Sequence, residues 1–186
     1  MKNALILHGT GNGPDNNWFR WLQNELEQKK YKVWVPQLPE CNKPNIYNYN
    51  NFLFSNKDWV FNEESILIGH SSGAVEILSL LQHLPDDKKI DTCYLIGVFK
   101  NDLGVADYSG MFLEPFNFEL IKTKANKFVF IHSDNDPYCP LEHAQYLSKK
   151  LGGQLIIKPG QFHFNISSAG EQYKQFPFLR DLILEK

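Results

Sequence analysis

Six short apolar runs recur along the chain, and longer amphipathic segments separate them. Uninterrupted runs of three or four apolar residues are typical of strands that are buried on both faces of a parallel sheet. The segments between the runs carry apolar residues at helical spacing. We therefore predict six strands, at residues 4–7, 33–35, 66–68, 94–96, 128–131 and 155–157, and helices at residues 18–29, 46–54, 74–83, 141–150 and 173–184.

Alternating strands and helices predict an α/β fold with three layers. In such a fold, helices cover both faces of a mostly parallel sheet, here of about six strands. No repeat, linker or low-complexity tract divides residues 1–186, so we expect a single domain. Residues 98–126 are less regular, and we expect there a loop with a short helix over the edge of the sheet. No long insertion is available to form a large cap.

The charge balance narrows the range of partners. The chain has 19 Lys and Arg against 21 Asp and Glu, a net charge of -2, whereas a nucleic-acid binder needs clustered basic residues. The first apolar run is too short for a signal-peptide core or a membrane span. The cysteines are odd in number and far apart, so they form neither a metal knuckle nor an obvious disulfide framework. We expect a soluble, cytoplasmic protein with reduced thiols at Cys41, Cys93 and Cys139.

A glycine-flanked serine lies at a predicted turn between a strand and a helix. Within residues 65–75 the turn reads G-H-S-S-G, which matches the G-x-S-x-G pattern of a nucleophile on a strained turn. The two residues flanking such a serine at a distance of two come close together, so both must be small. Gly69 and Gly73 flank Ser71, whereas Ser72 would be flanked by a histidine and an alanine. We predict Ser71 as a nucleophile, the alternative being a serine that only caps the helix.

A serine nucleophile needs a base, and the base needs an orienting carboxylate. One common chain order places the acid after the serine and the histidine last. Asp134 and Asp136 both follow the strand predicted at 128–131, and His163 follows the strand predicted at 155–157. Pro137 stiffens the chain beside Asp136, and the aspartate that is not used would bond the local backbone of a turn.

The other histidines have simpler explanations. His70 lies inside the serine turn, where packing or hydrogen bonding is expected. His83 and His143 lie in predicted helices, where we expect them at the surface. His132 ends a strand before the acid loop, where it can neighbour the site without serving it. Only His163 combines the right chain order with a loop position after a late strand.

Acyl transfer also needs N–H donors for the oxygen that becomes charged. One donor is expected to be the backbone N–H of Ser72, directly after the nucleophile. The second is expected from the glycine-rich loop at residues 8–13, where we nominate the N–H of Thr10. That loop fails the dinucleotide fingerprint G-x-G-x-x-G because Pro14 stands at the third glycine. No phosphate-binding loop or H-E-x-x-H motif is present in the sequence, and we expect neither a metal nor a cofactor.

On these residues the chain resembles the α/β-hydrolase superfamily. In particular, it resembles the small, nearly lidless serine hydrolases related to retinoblastoma-binding protein nine. The resemblance implies Ser71 as nucleophile, Asp136 as acid and His163 as base, although Phe162 stands where such families usually have a glycine. The motifs that carry it over the whole chain lie at residues 8–10, 17–22, 35–39, 69–74, 136–140 and 163–165.

These observations lead to a functional hypothesis. We expect hydrolysis of small carboxylic esters, or of amides, through an acyl-enzyme. Trp18, Met111 and Phe112 are candidates for the substrate wall, and short acyl groups are expected in the absence of a cap. The alternative is a non-catalytic protein-binding module on the same fold, which an exposed aromatic patch in residues 98–118 would favour. Acyl transfer to an acceptor other than water is a third possibility.

Overall fold

A single sheet organises the structure. The computed structural model describes residues 2–185. The sheet has the order β2-β1-β3-β4-β5-β6, and every neighbouring pair of strands is parallel. The predicted α/β fold with six strands is therefore confirmed. The strands are β1 (Asn3–Leu7), β2 (Lys32–Trp34), β3 (Ser65–His70), β4 (Ile90–Ile96), β5 (Ala125–His132) and β6 (Gln154–Ile157).

Two strands begin earlier than the apolar pattern indicates. β4 starts at Ile90 and β5 at Ala125, three or more residues before the predicted starts at 94 and 128. Polar residues interrupt the apolar pattern there, and Asn126 and Lys127 are exposed in the structure. A strand end that leaves the core can carry polar side chains, so hydrophobicity alone does not locate it.

Alternating side chains divide the core into two layers. Leu5 and Leu67 point to one face of the sheet, and their neighbours Ile6 and Ile68 point to the other. All four side chains are fully buried. This period of two, on strands covered on both sides, explains why each strand reads as a continuous apolar run.

The helices cover both faces, as the three-layer prediction requires. Helices α1 and α7 pack on the face that contains Ile6, and α2 to α5 pack on the opposite face. Their bounds are α1 (Phe19–Gln28), α2 (Ile46–Ser55), α3 (Ser72–His83), α4 (Phe118–Thr123), α5 (Leu141–Leu151), α6 (Ile166–Ala169) and α7 (Pro177–Leu184), with 3-10 helices at Ala106–Met111 and Glu171–Lys174. No helix within residues 2–185 is long and apolar enough to cross a membrane.

The last predicted helix, at residues 173–184, is divided in the structure. A 3-10 helix ends at Lys174, and α7 begins at Pro177. A proline in the first turn of a helix is favourable because its missing N–H would have no partner there, whereas the same proline would break a continuous helix. The sequence pattern therefore predicted one helix where the structure has two elements, which Pro177 separates.

The irregular segment after β4 lies over the carboxyl ends of the strands. It contains the 3-10 helix at Ala106–Met111, as expected, and leads into α4. Its aromatic rings pack on one another: Phe99 lies 5.5 Å from Tyr108 and 5.8 Å from Phe112 between ring centroids. The segment forms a wall beside the strand ends.

The order of the strands locates a crevice. The chain runs outward from β1 to β2 on one side and from β3 to β6 on the other, so the direction of winding changes between β1 and β3. Ligands of open α/β sheets bind at such a switch point, beyond the carboxyl ends of the strands. The loop after β1 and the turn after β3, which carry Thr10 and Ser71, meet there.

Close packing at the start of α3 requires two glycines. A Cβ at Gly69 would lie 2.5 Å from the Gly73 carbonyl oxygen and 2.6 Å from the Ala74 Cα, and a Cβ at Gly73 would collide with the Leu7 carbonyl oxygen. All of these obstacles are backbone atoms, which cannot turn aside as a flexible side chain can. The helix can lie this close to β1 and β3 only without those Cβ atoms.

This packing gives a stability prediction. Gly73→Ala should lower the free energy of unfolding by about 3 kcal/mol or more, because overpacking against backbone forces the helix away from the sheet. Gly104→Ala is the control: unlike Gly73, that glycine has a positive φ, and nothing lies within 4 Å of its missing Cβ, so only about 1 kcal/mol of backbone strain is expected. Urea unfolding of both variants measures the difference. Equal losses would contradict the packing argument.

Candidate active site

Ser71 lies on a strained turn between β3 and α3. Its backbone has φ 56° and ψ -123°, a region that residues with a Cβ rarely adopt. The Ser71 N–H donates to the Ile96 carbonyl oxygen at 2.8 Å, which fixes the turn to β4. The serine is partly exposed, and its side chain lines a cavity above the sheet. This is the geometry expected for a nucleophile on a tight turn.

Asp136 and His163 form a direct pair. His163 Nδ1 lies 2.6 Å from Asp136 Oδ2, and the carboxylate is fully buried. The other carboxylate oxygen accepts the backbone N–H groups of Tyr138 and Cys139, each at 2.9 Å. Burial acts to raise the pKa of Asp136, but the hydrogen bond and charge of His163 and the two N–H donors outweigh it, so the pKa is lowered.

The structure distinguishes the two candidate aspartates. Asp134 is exposed, and its Oδ1 accepts the backbone N–H of Gly160 at 2.8 Å. Asp134 therefore connects the loop after β5, which carries Asp136, to the loop after β6, which carries His163. Asp136 alone of the two reaches the ring of His163.

The loop that carries His163 is strained on both sides. Phe162 has φ 53° and Phe164 has φ 55°, so both neighbours of the histidine have left-handed backbone. That conformation costs about 1–2 kcal/mol for a residue with a Cβ. A glycine before the histidine, as the resemblance leads one to expect, would adopt it without this cost. Phe162 adopts this left-handed backbone although it is not a glycine.

Hydrogen bonds from distant parts of the chain hold this loop. The Trp18 Nε1–H donates to the Phe164 carbonyl oxygen at 3.0 Å, and the Ile166 N–H donates to Asn17 Oδ1 at 2.9 Å. Trp18 is fully buried among aromatic rings. The side chain that we expected on the substrate wall instead supports the histidine loop, because its indole N–H finds a buried partner there.

Ser71 and His163 line the same cavity, which has a volume of about 200 Å³. Within residues 2–185, neither Ser71 Oγ nor His163 Nε2 has a hydrogen-bond partner. In unliganded sites such catalytic hydrogen bonds are often long and shorten when substrate binds. Polar side chains in the cavity lining are Thr10, Asn12, Asn165 and Ser167, and larger side chains in it are Phe99, Leu103, Tyr108 and Tyr138.

The cavity corrects the predicted substrate wall. Neither Trp18, Met111 nor Phe112 is among its lining residues. Met111 is fully buried in the core, and Phe112 lies instead on a separate surface groove. Large apolar residues near a site are more often core than wall. Leu103 and Tyr108 occupy the wall, which the sequence pattern could not show because both lie in irregular structure.

The two predicted oxyanion donors are joined by their side chains. The Thr10 hydroxyl donates to Ser72 Oγ at 2.9 Å, which ties the loop after β1 to the first turn of α3. The Ser72 N–H lies in that first turn, where no earlier helical carbonyl can accept it. No hydrogen bond within residues 2–185 engages the Thr10 N–H. Both N–H groups therefore lack a backbone acceptor within the described residues, and the hydroxyl contact was not foreseen from the sequence.

Two other histidines, His132 and His143, contact the backbone of neighbouring loops. His132 is fully buried, and its Nε2 lies 2.8 Å from the Cys139 carbonyl oxygen and 3.9 Å from Asp136 Oδ2. His143 is not the surface residue that its helical position predicted: it is buried, and its Nδ1 accepts the N–H of Lys100 at 3.3 Å. The helix α5 turns this residue toward the loop after β4.

One group of side chains offers the donor atoms of a metal site. Atoms of Asp136, Cys139 and His163 lie within 4.8 Å of one another. Both oxygens of this carboxylate already accept hydrogen bonds, and burial raises the pKa of the Cys139 thiol well above its ordinary value, which favours the protonated form. A cation could bind there only by displacing the bond between the acid and the histidine.

The fold and the serine turn define an α/β hydrolase. The crystal structure of the ydeN gene product from B. subtilis shares the fold with a TM-score of 0.91, at 22% identity and with 100% of this chain and 98% of that chain covered. Est1E from Butyrivibrio proteoclasticus has a TM-score of 0.73 at 14% identity, with 99% of this chain and 87% of that chain covered.

A family comparison is more specific. Residues 4–183 match the profile of the family described as serine hydrolase, so the chain belongs to that family and the protein is a hydrolase. A curated relative is the serine hydrolase RBBP9 of Rattus norvegicus, 26% identical over 167 residues, which are 87% of this chain and 86% of the relative.

The buried histidine of the serine turn gives a pH prediction. Burial, and next the positive charge that His163 can carry, lower the pKa of His70 to about 3, from an ordinary value of 6.5. Between these two values the unfolded chain binds a proton that the folded chain does not. The contribution of His70 to the free energy of unfolding is therefore fully present above pH 6.5. It is lost as the pH falls below 6.5, by about 1.4 kcal/mol per pH unit.

Urea unfolding between pH 4.5 and 7 measures this slope. His70→Gln, which has no titratable side chain, should show a slope about 1.4 kcal/mol per pH unit shallower than that of the wild type. Identical slopes would show that residue 70 does not remain neutral in the folded protein.

Proposed function

We propose that the protein hydrolyses small carboxylic esters through an acyl-enzyme, with Ser71 as nucleophile, His163 as base and Asp136 as the orienting acid. The observation that carries the proposal is the 2.6 Å contact between Asp136 and His163 at a cavity that Ser71 also lines. Membership of the serine hydrolase family supports it. The ester is the substrate class, and no cofactor takes part.

The mechanism follows from the positions of the protons. His163 Nδ1–H donates to Asp136, so Nε2 is left as the acceptor that can take the Ser71 proton. Ser71 Oγ attacks the ester carbonyl carbon, and the resulting oxyanion accepts the N–H groups of Thr10 and Ser72. The His163 imidazolium then protonates the leaving alcohol. Water, deprotonated by the same histidine, attacks the acyl carbon; the bond to Ser71 Oγ then breaks, His163 returns the proton to Oγ, and the carboxylic acid is released.

The size of the cavity points to short acyl groups. Its volume of about 200 Å³ lies below the roughly 300–1,000 Å³ of pockets that take drug-sized ligands. Phe99, which is almost fully buried, and Leu103 are among the large side chains that limit the cavity. An acyl chain longer than this space must displace packed side chains or remain in water.

The binding-module alternative receives no comparable support. Its distinguishing feature, an exposed aromatic patch in residues 98–118, is met only in part. Phe99 is buried, with Tyr108 and Phe112 packed against it, whereas Phe112, Phe116 and Phe118 are half-buried and line a separate surface groove. Hydrolysis is therefore the function that we propose.

The nucleophile can be tested with a fluorophosphonate probe. We expect the wild type to be labelled and Ser71→Ala to be unlabelled, with ester turnover reduced about 10⁴-fold or more. Ser72→Ala is the matched control next to it. It keeps its backbone N–H but loses the contact with Thr10, so turnover should fall only about 3- to 10-fold, the equivalent of one neutral hydrogen bond. Labelling that survives in Ser71→Ala, or an unlabelled folded wild type, would refute the assignment.

Acyl preference can be tested with p-nitrophenyl esters of graded length. Acetate and butyrate esters should exceed the octanoate ester in kcat/KM, because methylene groups that a pocket cannot hold cost about tenfold or more in discrimination. Leu103→Ala should shift the preference toward longer chains by enlarging the cavity. Leu113→Ala, at an exposed position of the same segment, should leave the preference unchanged. A wild-type preference for octanoate would contradict the limit set by the cavity.

A further inference from the structure

His70 connects the serine turn to the backbone of the histidine loop. It is the last residue of β3, is 1% exposed, and its Nε2 lies 2.8 Å from the His163 carbonyl oxygen. A carbonyl oxygen only accepts hydrogen bonds, so Nε2 must carry the proton. The other ring nitrogen, Nδ1, is buried and has no partner within residues 2–185. The side chain is therefore a neutral ring that makes a single hydrogen bond, to the proposed base.

The backbone that His70 holds is the strained one. Residues 162 and 164, on either side of His163, both have left-handed backbone, and such residues persist only where the surroundings hold them. The His163 N–H donates to Ser168 Oγ at 3.1 Å, and its carbonyl oxygen accepts from His70. The bond to Ser168 joins His163 to α6, only five residues later in the chain, whereas the bond from His70 joins His163 to β3 of the sheet. The bond from His70 thus fixes the proposed base, His163, relative to the serine turn.

The ring of His70 also lies close to the charge that develops during the reaction. The centroids of the His70 and His163 rings are 4.7 Å apart. A positive charge on residue 70 would oppose formation of the His163 imidazolium, since like charges repel strongly at this distance away from water. The aromatic rings of Trp18 and Phe19, at 6.1 Å and 6.0 Å, surround His70 and keep it out of water.

We propose that His70 is a positioning residue of the reaction, which holds the backbone of His163 through its Nε2–H and remains neutral beside the imidazolium. This inference rests on the proposed function. It assigns a role to the variable position of the G-x-S-x-G turn, between the first glycine and the serine. His70 touches neither substrate nor the reacting atoms in this role, and it acts through His163.

Two substitutions separate the hydrogen bond from the packing. His70→Phe keeps an aromatic ring and removes the donor, and we expect kcat to fall about 10- to 100-fold with KM changed less than about threefold, because a misplaced base slows the chemical step. His70→Gln keeps an N–H donor near the position of Nε2 and should retain most of the activity. Ile121→Val, a buried substitution in α4 away from the cavity, controls for a general loss of packing.

A double-mutant cycle tests whether His70 acts through the base. In a His163→Ala background the loop no longer carries a base to position, so adding His70→Phe should change the residual turnover less than about twofold. If His70→Phe has the same effect with and without His163, or if His70→Phe is fully active, the proposed role is overturned.

A measurement on the wild type keeps the inference testable if His70→Phe does not fold. NMR of the ¹⁵N-labelled imidazoles should show residue 70 as the neutral Nε2–H tautomer throughout pH 5–8. The titratable groups that face this ring are His163, Asp136 and His8, and His70→Gln identifies its signal among them. Titration of residue 70 in this range, or a proton on Nδ1, would overturn the inference.

The outcomes distinguish this inference from the proposed function. If the folded wild type neither hydrolyses esters nor binds the fluorophosphonate, the proposed function fails before His70 is tested. If the wild type is active and depends on Ser71, a fully active His70→Phe overturns only the role of His70.

Discussion

The structure depends on the absence of side chains at two positions. Without a Cβ at Gly69 and Gly73, α3 can begin directly against the carboxyl ends of β1 and β3, and the chain between them must turn through the left-handed region. That turn places Ser71 over the switch point of the sheet, and the Ser72 N–H at the start of α3 has no earlier helical carbonyl to accept it. The same approach brings Ser72 within hydrogen-bonding distance of Thr10. One steric constraint therefore sets the position of the serine and of both proposed N–H donors.

Burial of neutral histidines is the second organising feature. His8 and His70 are packed in apolar surroundings, and desolvation lowers the pKa of each. His8 accepts the Leu38 N–H at Nε2 and contacts the Gly9 carbonyl oxygen through Nδ1, so it joins the loops after β1 and β2 as a neutral ring. Of these two rings, His70 lies beside the proposed base, His163. In the proposed mechanism the positive charge on His163 is stabilised by Asp136 and meets no charge on the ring of His70.

The fold could be predicted from the sequence because buried parallel strands and amphipathic helices leave distinct periodic patterns. That Ser71, Asp136 and His163 come close together could also be predicted, since each follows a strand and the carboxyl ends of parallel strands meet at the same edge of a sheet. What could not be predicted lies in irregular structure: Leu103 lines the cavity, and Trp18, which was expected on the substrate wall, supports a loop. Which side chain faces a cavity depends on loop geometry, which has no periodic signal. Polar contacts such as those of the Ser72 hydroxyl are invisible for the same reason.

The hydrogen bonds that hold the histidine loop have a consequence for the order of assembly. They join Asn17 and Trp18 to residues almost 150 positions later in the chain, at Phe164 and Ile166. Contacts of such long sequence separation form late, because their loop-closure entropy must be overcome by structure already in place. During synthesis the strands that precede Ser71 and Asp136 emerge before the segment that carries His163. A chain in which these contacts have not yet formed can therefore hold Ser71 and Asp136 in place without the proposed base, and activity would report that residues 17–18 have docked on residues 164–166.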